Sequence, residues 1–207
     1  AIIAVQAVEN FKLKIEDPAS SYKLKAAMLM KESLEAIKKE RLKRGIFIDT
    51  QDDPNQTGII GLNYNDLTTT LGSLSSKRTS SNPNYAGIIV EMLFNAGVKA
   101  KDIVAICISG SFPALNIAVL SAAKSLKLET VIISSVGASM YGANHPDLTW
   151  LDMERILRRR DIMHFVSKAA SLGGIVDTNG GLDGQGIKLG LEAIRRNKVS
   201  YIDELGI

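Results

Sequence analysis

Apolar residues run without polar alternation from Ile103 to Ser109 and again from Thr130 to Ser134. Runs of this length and β-branched content predict strands covered on both faces, because alternation is lost when both sides are buried. Cys107 lies inside the first run and is therefore expected to be a buried structural thiol. Each run leads into a turn of small residues. After the first, Gly110 allows a tight turn, Ser111 is placed to cap, and Pro113 suits a first helical turn. Asn116 to Leu126 then spaces apolar residues three and four apart, which predicts a helix. A third unit is read from Gly173 to Asp177 as strand, Thr178 to Gly186 as glycine-rich turn and Ile187 to Asn197 as helix. Three strand, turn, helix units in succession predict a mainly parallel sheet with right-handed crossovers, a three-layer α/β/α, Rossmann-like fold. All three turns then fall on the carboxyl edge, where open α/β sheets place their ligand sites.

The remaining chain frames this core. Ala1 to Val8 is apolar and reads either as a short helix or as the end of a removed anchor or signal, since the chain opens without methionine. Asp17-Pro18 breaks it. Ser20 or Ser21 is placed to cap a long helix to Arg44, with Leu24, Met28, Met30, Leu34 and Ile37 as its apolar stripe. The chain is accordingly divided into a basic N-terminal helix or stalk, 1–45, and an α/β domain, 46–207. Ile46 to Pro54 reads as extended and Gly58 to Leu62 as a short strand. Leu67 to Asn84, in which eleven of eighteen residues are Ser, Thr, Lys or Arg, reads as a polar loop held at one end by a helix from Pro83 to Asn95. Thr149 and Asp152 have capping-box spacing ahead of a helix running towards Arg160. Met163 to Leu172 reads as helical, with His164 packed inside it.

Composition narrows the functional classes. With 207 residues, 45% of them hydrophobic, the chain can bury one substantial core. Aromatics are 5% and nowhere interleaved with basic residues, so a stacking platform for single-stranded nucleic acid is excluded. The net charge of +3 is uneven: Ala1 to Gly45 holds ten Lys/Arg against six Asp/Glu, so the excess sits in the first helix. A single cysteine allows no intramolecular disulfide.

Candidate chemistry converges on the predicted carboxyl edge. Hydroxyls, backbone N–H groups and cations suit an anion such as a carboxylate. The expected ligand-binding residues are Thr69, Thr70, Ser76, Lys77 and Arg78 in the hydroxyl-rich segment. Ser109, Gly110, Ser111, Ser135, Ser139 and Asn144 follow at the first two turns, and Asp177, Asn179, Gly180, Gly181 and Asp183 at the third. An enzyme reading makes Ser111 a nucleophile, although G-x-S-x-G is incomplete and Ser111 also reads as a helix cap. His145 would be its base, oriented by Asp147, Asp152 or Asp177, with Lys77 as the base in a Ser-Lys alternative. Gly184 to Gly190 fits a glycine pattern of dinucleotide sites in a poor context, so no nicotinamide or other cofactor is expected, and Gly190 is assigned to close helix packing. Asp177 and Asp183 are the weak candidates for a hard cation, and no recognisable metal site is expected.

The runs LTTTLGSLSSKRTSSNPNYA, ISGSFPALNIAVLSAA, SSVGASMYGANHPDLTWLDME and GGIVDTNGGLDGQG resemble the poly-γ-glutamate system protein family, over most of Gly58 to Asn197. The resemblance implies an accessory protein of poly-γ-glutamate biosynthesis or export. It also implies a single membrane anchor ahead of the domain, a domain outside the cytoplasm, and the synthesis machinery as a partner. It carries over no catalytic residue. Three classes follow: a module binding the carboxylate-rich polymer or a γ-glutamyl precursor, a serine-type γ-glutamyl hydrolase or transferase, and a scaffold recruiting the synthetase through the N-terminal helix.

Overall fold

The computed structural model describes residues 17–203, so the reading of Ala1 to Val8 lies outside them. In chain order the elements are α1 (Ser20–Lys43), β1 (Thr68–Thr70), α2 (Leu74–Ser80), α3 (Asn84–Asn95), β2 (Ile103–Ser109), α4 (Pro113–Ser125) and β3 (Glu129–Ser135). Then follow β4 (Ala138–Ser139), β5 (Asn144–His145), β6 (Leu148–Thr149), α5 (Trp150–Arg159), β7 (Ala169–Ser171), α6 (Gly184–Asn197) and β8 (Ser200–Tyr201).

The main sheet is parallel, with spatial order β2-β3-β7-β8, which is also the order along the chain. Sheets of this kind cross over right-handedly, and when every crossover steps to the next strand on the same side, all crossover helices fall on one face. A doubly wound sheet needs the strand order to reverse, and no reversal occurs among the described residues. Burial follows that topology. Ile108, Ile132 and Ser134 are buried beneath the helices, whereas the alternate positions Ile103, Ala105, Cys107, Val131 and Ile133 are exposed. Ile103 is 70% exposed, Val131 46% and Ile133 43%, so the expectation of strands covered on both faces fails among the described residues. Cys107 is exposed rather than buried, for the same reason. The fold is mixed α/β with parallel strands and a long N-terminal helix. A second helical layer is not shown.

The core lies entirely on the helical side. Helix α4 is buried on nearly all sides, among them Ile117, Leu120 and Ala122, and packs against β2, α1 and α3. Helix α1 lies across α3, α4 and α5 and buries Met30, Leu34 and Ile37 in the same cluster as Ile132 and Trp150. Only part of the expected stripe is used, since Leu24 and Met28 are exposed. Neither Ser20 nor Ser21 caps α1: Ala19 holds the cap position without a side-chain bond to the helix, and Asp17 Oδ1 accepts from the Ala19 N–H at 2.9 Å.

Several local expectations are corrected. The hydroxyl-rich segment is not a loop but β1 followed by α2, capped by Ser73, whose Oγ accepts from the Ser76 N–H at 3.3 Å. Its hydroxyls turn inward to the helix: Ser80 Oγ donates to the Lys77 carbonyl at 2.8 Å. Gly58 to Leu62 forms no regular strand, although Gly61 N–H reaches the Tyr141 carbonyl at 3.0 Å. Met163 to Leu172 is not helical; it runs into β7, and His164 is exposed beside Asp161 at 3.6 Å. The third strand is Ala169–Ser171, and Gly173 to Asp177 is a loop. Consecutive left-handed glycines, Gly173 and Gly174, end the strand there. The close packing assigned to Gly190 holds, because a Cβ there would meet Leu172 Cδ2 at 2.5 Å. Among the described residues no helix is long and apolar enough to cross a membrane.

Candidate functional site at the carboxyl edge of the sheet

The parallel register pairs Ser109 with Ser135 and Ser135 with Ser171, so three adjacent strands end in serine side by side. Ser171 is a site residue that the helical reading of 163–172 concealed. The available signal was the short apolar run Ala169-Ala170 ending in serine, as the two longer runs do. Ser171 Oγ donates to Asp177 Oδ1 at 2.7 Å, which anchors the Gly173 to Asp177 loop over this end.

Ser111 follows the strand end but does not cap α4. Phe112 holds the cap position without a side-chain bond, and Ser111 Oγ instead accepts from the Ser139 N–H at 3.0 Å. Ser139 is brought there by β4, which pairs in parallel with β1 so that Thr70 lies opposite Ser139. Thr69 Oγ1 donates to the Ala138 carbonyl at 3.3 Å. The hydroxyl-rich segment therefore joins the carboxyl edge through backbone pairing, not as a mobile roof.

Lys77 completes the cluster. It projects from the inner side of α2, is 2% exposed, and donates from Nζ to Ser139 Oγ at 2.7 Å and to the Ser111 carbonyl. The ammonium also sits 3.6 Å from the centre of the Phe112 ring, a cation–π contact. All its partners are uncharged, and no carboxylate pairs with it among the described residues. Burial without a counter-ion favours the neutral amine and pulls its pKa from 10.5 down to about 8.

Glycine makes the crowding possible at Gly181. Its φ is +93°, and a Cβ there would lie 2.3 Å from the Thr69 carbonyl oxygen. Gly181→Ala is expected to destabilise the fold by about 1–3 kcal/mol through strain alone, readable as a lowered denaturant midpoint.

Other expected site residues lie elsewhere. His145 faces a cleft of about 620 Å³ lined by Arg41, Arg44, Asp49, Tyr64 and Asp147. Its Nδ1 accepts from the Asp147 N–H at 3.1 Å, none of its hydrogen bonds goes to Ser111, and burial holds its pKa below the usual histidine value. The pairing of Ser111 with His145 is thus not what the structure assembles. Asp152 is fully buried in the α5 cap, with Thr149, Arg155, Arg196 and Asn197 as partners. Asn144 is a buried latch, accepting from the Leu62 N–H at 2.8 Å and donating to Thr68 Oγ1 at 3.0 Å. Arg78 turns the opposite way from Lys77 and donates to the Asp52 carbonyl at 2.7 Å, while Ser76 is exposed. Asp183 caps α6, accepting from the Gly186 N–H at 2.8 Å, so the glycines before it serve helix entry. Asn179 and Gly180 close the loop on itself through Gly173 and Ile175. Among the described residues no three His, Cys, Asp or Glu side chains gather to hold a metal.

Compared with protein-family models, with curated proteins and with solved structures, the chain matches none.

Proposed function

We propose that this domain is an accessory protein of poly-γ-glutamate production or export, binding the carboxylate-rich polymer or a γ-glutamyl precursor at the carboxyl edge of its sheet. One observation carries the reading. Lys77 is a buried ammonium held only by neutral oxygens and a ring face, beside serine side chains at the strand ends. A ligand carboxylate supplies the charge that this cluster lacks, and the surrounding hydroxyls orient it. The proposal includes a membrane tether ahead of this chain and a domain outside the cytoplasm. Thermal unfolding with and without poly-γ-glutamate tests it. The expected result is a raised midpoint that fades at high salt and is absent in Lys77→Met. An equal rise in Lys77→Met overturns the site, and no rise at all overturns the ligand.

The Lys77 Nζ to Ser139 Oγ distance of 2.7 Å favours a second reading, a Ser-Lys acyl-transfer pair acting on γ-glutamyl amides. With a pKa of about 8, Lys77 is partly neutral near pH 8 and able to take the serine proton. The hydroxyl beside the base is then Ser139, not Ser111. Shortening of poly-γ-glutamate that vanishes in Ser139→Ala but survives in His145→Ala supports this reading, and shortening that survives in Ser139→Ala removes it.

A further inference from the structure

We propose that the uncovered face of the main sheet is the contact surface of a symmetric dimer, a second copy packing face to face with its strands antiparallel to the first. The face is built from Ile103, Ala105 and Cys107 on β2 and Val131 and Ile133 on β3, all exposed. Parallel sheets are almost always covered on both sides, because their β-branched faces are apolar and gain from burial. Among the described residues the one-directional strand order leaves this face without a crossover helix. The only charged side chain on its β2 and β3 positions is Glu129, at the amino-terminal margin. The loop after β7 adds the exposed side chains of Ile175 and Val176 beyond the other margin.

Charge selects the partner and its direction. Exposed Lys99, Lys101, Lys127 and Lys168 gather where the strands begin, offset only by Glu129 and by Asp102, which accepts from the Lys99 N–H. Exposed Asp177 and Asp203 lie where the strands end. Antiparallel apposition of two copies sets each lysine group against the other copy's aspartates, whereas parallel apposition opposes like charges. One patch thereby matches itself about a two-fold axis, which is what an isologous dimer requires. The N-terminal part of this same chain is the worse candidate. The described residues begin at Asp17, where Lys23 binds both Asp17 and Glu91 of α3, on the helical side away from the bare face.

Sedimentation of the purified chain over a wide concentration range, with the alkylation rate of Cys107 at each concentration, tests this. The expected result is a mass that rises from the single-chain 22.4 kDa towards twice that value. Cys107 alkylation should slow by about tenfold or more as the dimer forms. Val131→Glu and Ile133→Glu, at positions already partly open to solvent, should keep the native circular dichroism, remain at single-chain mass and restore fast alkylation. Three outcomes overturn the proposal. One is single-chain mass at all concentrations with Cys107 freely alkylated. Another is a dimer that persists in both variants, which points to pairing along the open edge of β2. The third is a single chain whose Cys107 is protected until residues 1–16 are deleted, which makes the chain's own N-terminus the cover.

Discussion

Asp152→Ala is expected to lower the unfolding free energy by about 3–5 kcal/mol, measured by denaturant unfolding, the largest effect of any single polar substitution considered. The side chain is fully buried and saturated: Thr149 donates from N and Oγ1 at 2.9 and 2.8 Å, Arg155 Nη2 at 2.9 Å, Arg196 Nε at 3.0 Å and Asn197 Nδ2 at 3.1 Å. Removing it leaves Arg196 half-buried without its anion and unties α6 from the first turn of α5. Burial alone would raise the Asp152 pKa, but Arg196 and the donated hydrogen bonds outweigh it and hold the carboxyl below its ordinary range. Its contribution is therefore complete above the ordinary carboxylate value of about 3.9 and is lost as the pH falls below that, through the folded value. Asp152→Ala should flatten this acid limb of the stability curve. An unchanged limb would show that another carboxylate controls it.

Lys77→Met is expected to abolish the response to poly-γ-glutamate while changing stability at neutral pH by no more than about 2 kcal/mol. Two opposing effects set that limit. The ammonium is held against a burial penalty that lowers its pKa from 10.5 to about 8, which corresponds to about 3 kcal/mol of cost below pH 8. Methionine removes the penalty but leaves the Ser111 carbonyl and Ser139 Oγ without their donor. The pH dependence separates the two. Between pH 8 and 10.5 the unfolded chain binds the Lys77 proton and the folded chain does not, so native stability gains from this residue as the pH rises. The difference between native protein and Lys77→Met should shift by about 3 kcal/mol across that window. No shift would mean that Lys77 is solvated, which would remove the proposed anion site at this edge.

Lys77 carries a burial penalty and is enclosed by Ser111, Ser139 and Phe112, and the proposed anion site rests on that combination. The same contrast sorts the remaining candidates. Asp152 and Asn144 have their hydrogen-bonding capacity committed to the fold and Asp183 caps α6, whereas Ser109 is exposed and Ser135 half-exposed at the strand ends.

The sequence by itself determined the long first helix, the strand Ile103–Ser109, the five central residues Thr130 to Ser134 of the strand Glu129–Ser135, the turn and helix after β2, and the cap at Thr149. Each rests on interactions within one stretch, where period, capping residue and apolar run carry the information. It also named Ser109, Ser111, Ser135 and Lys77, which the structure brings together at the carboxyl edge. Tertiary structure decided what an apolar run cannot express. Whether the second face of β2 is covered depends on the order in which strands join the sheet, so Cys107 and Val131 are open although their composition suits a core. Whether Ser111 meets histidine or lysine depends on the pairing of β1 with β4, which brings Ser139 and α2 to the carboxyl edge and leaves His145 in another cleft. Those pairings join residues tens of positions apart, and backbone hydrogen bonds between them carry no signature in either segment alone.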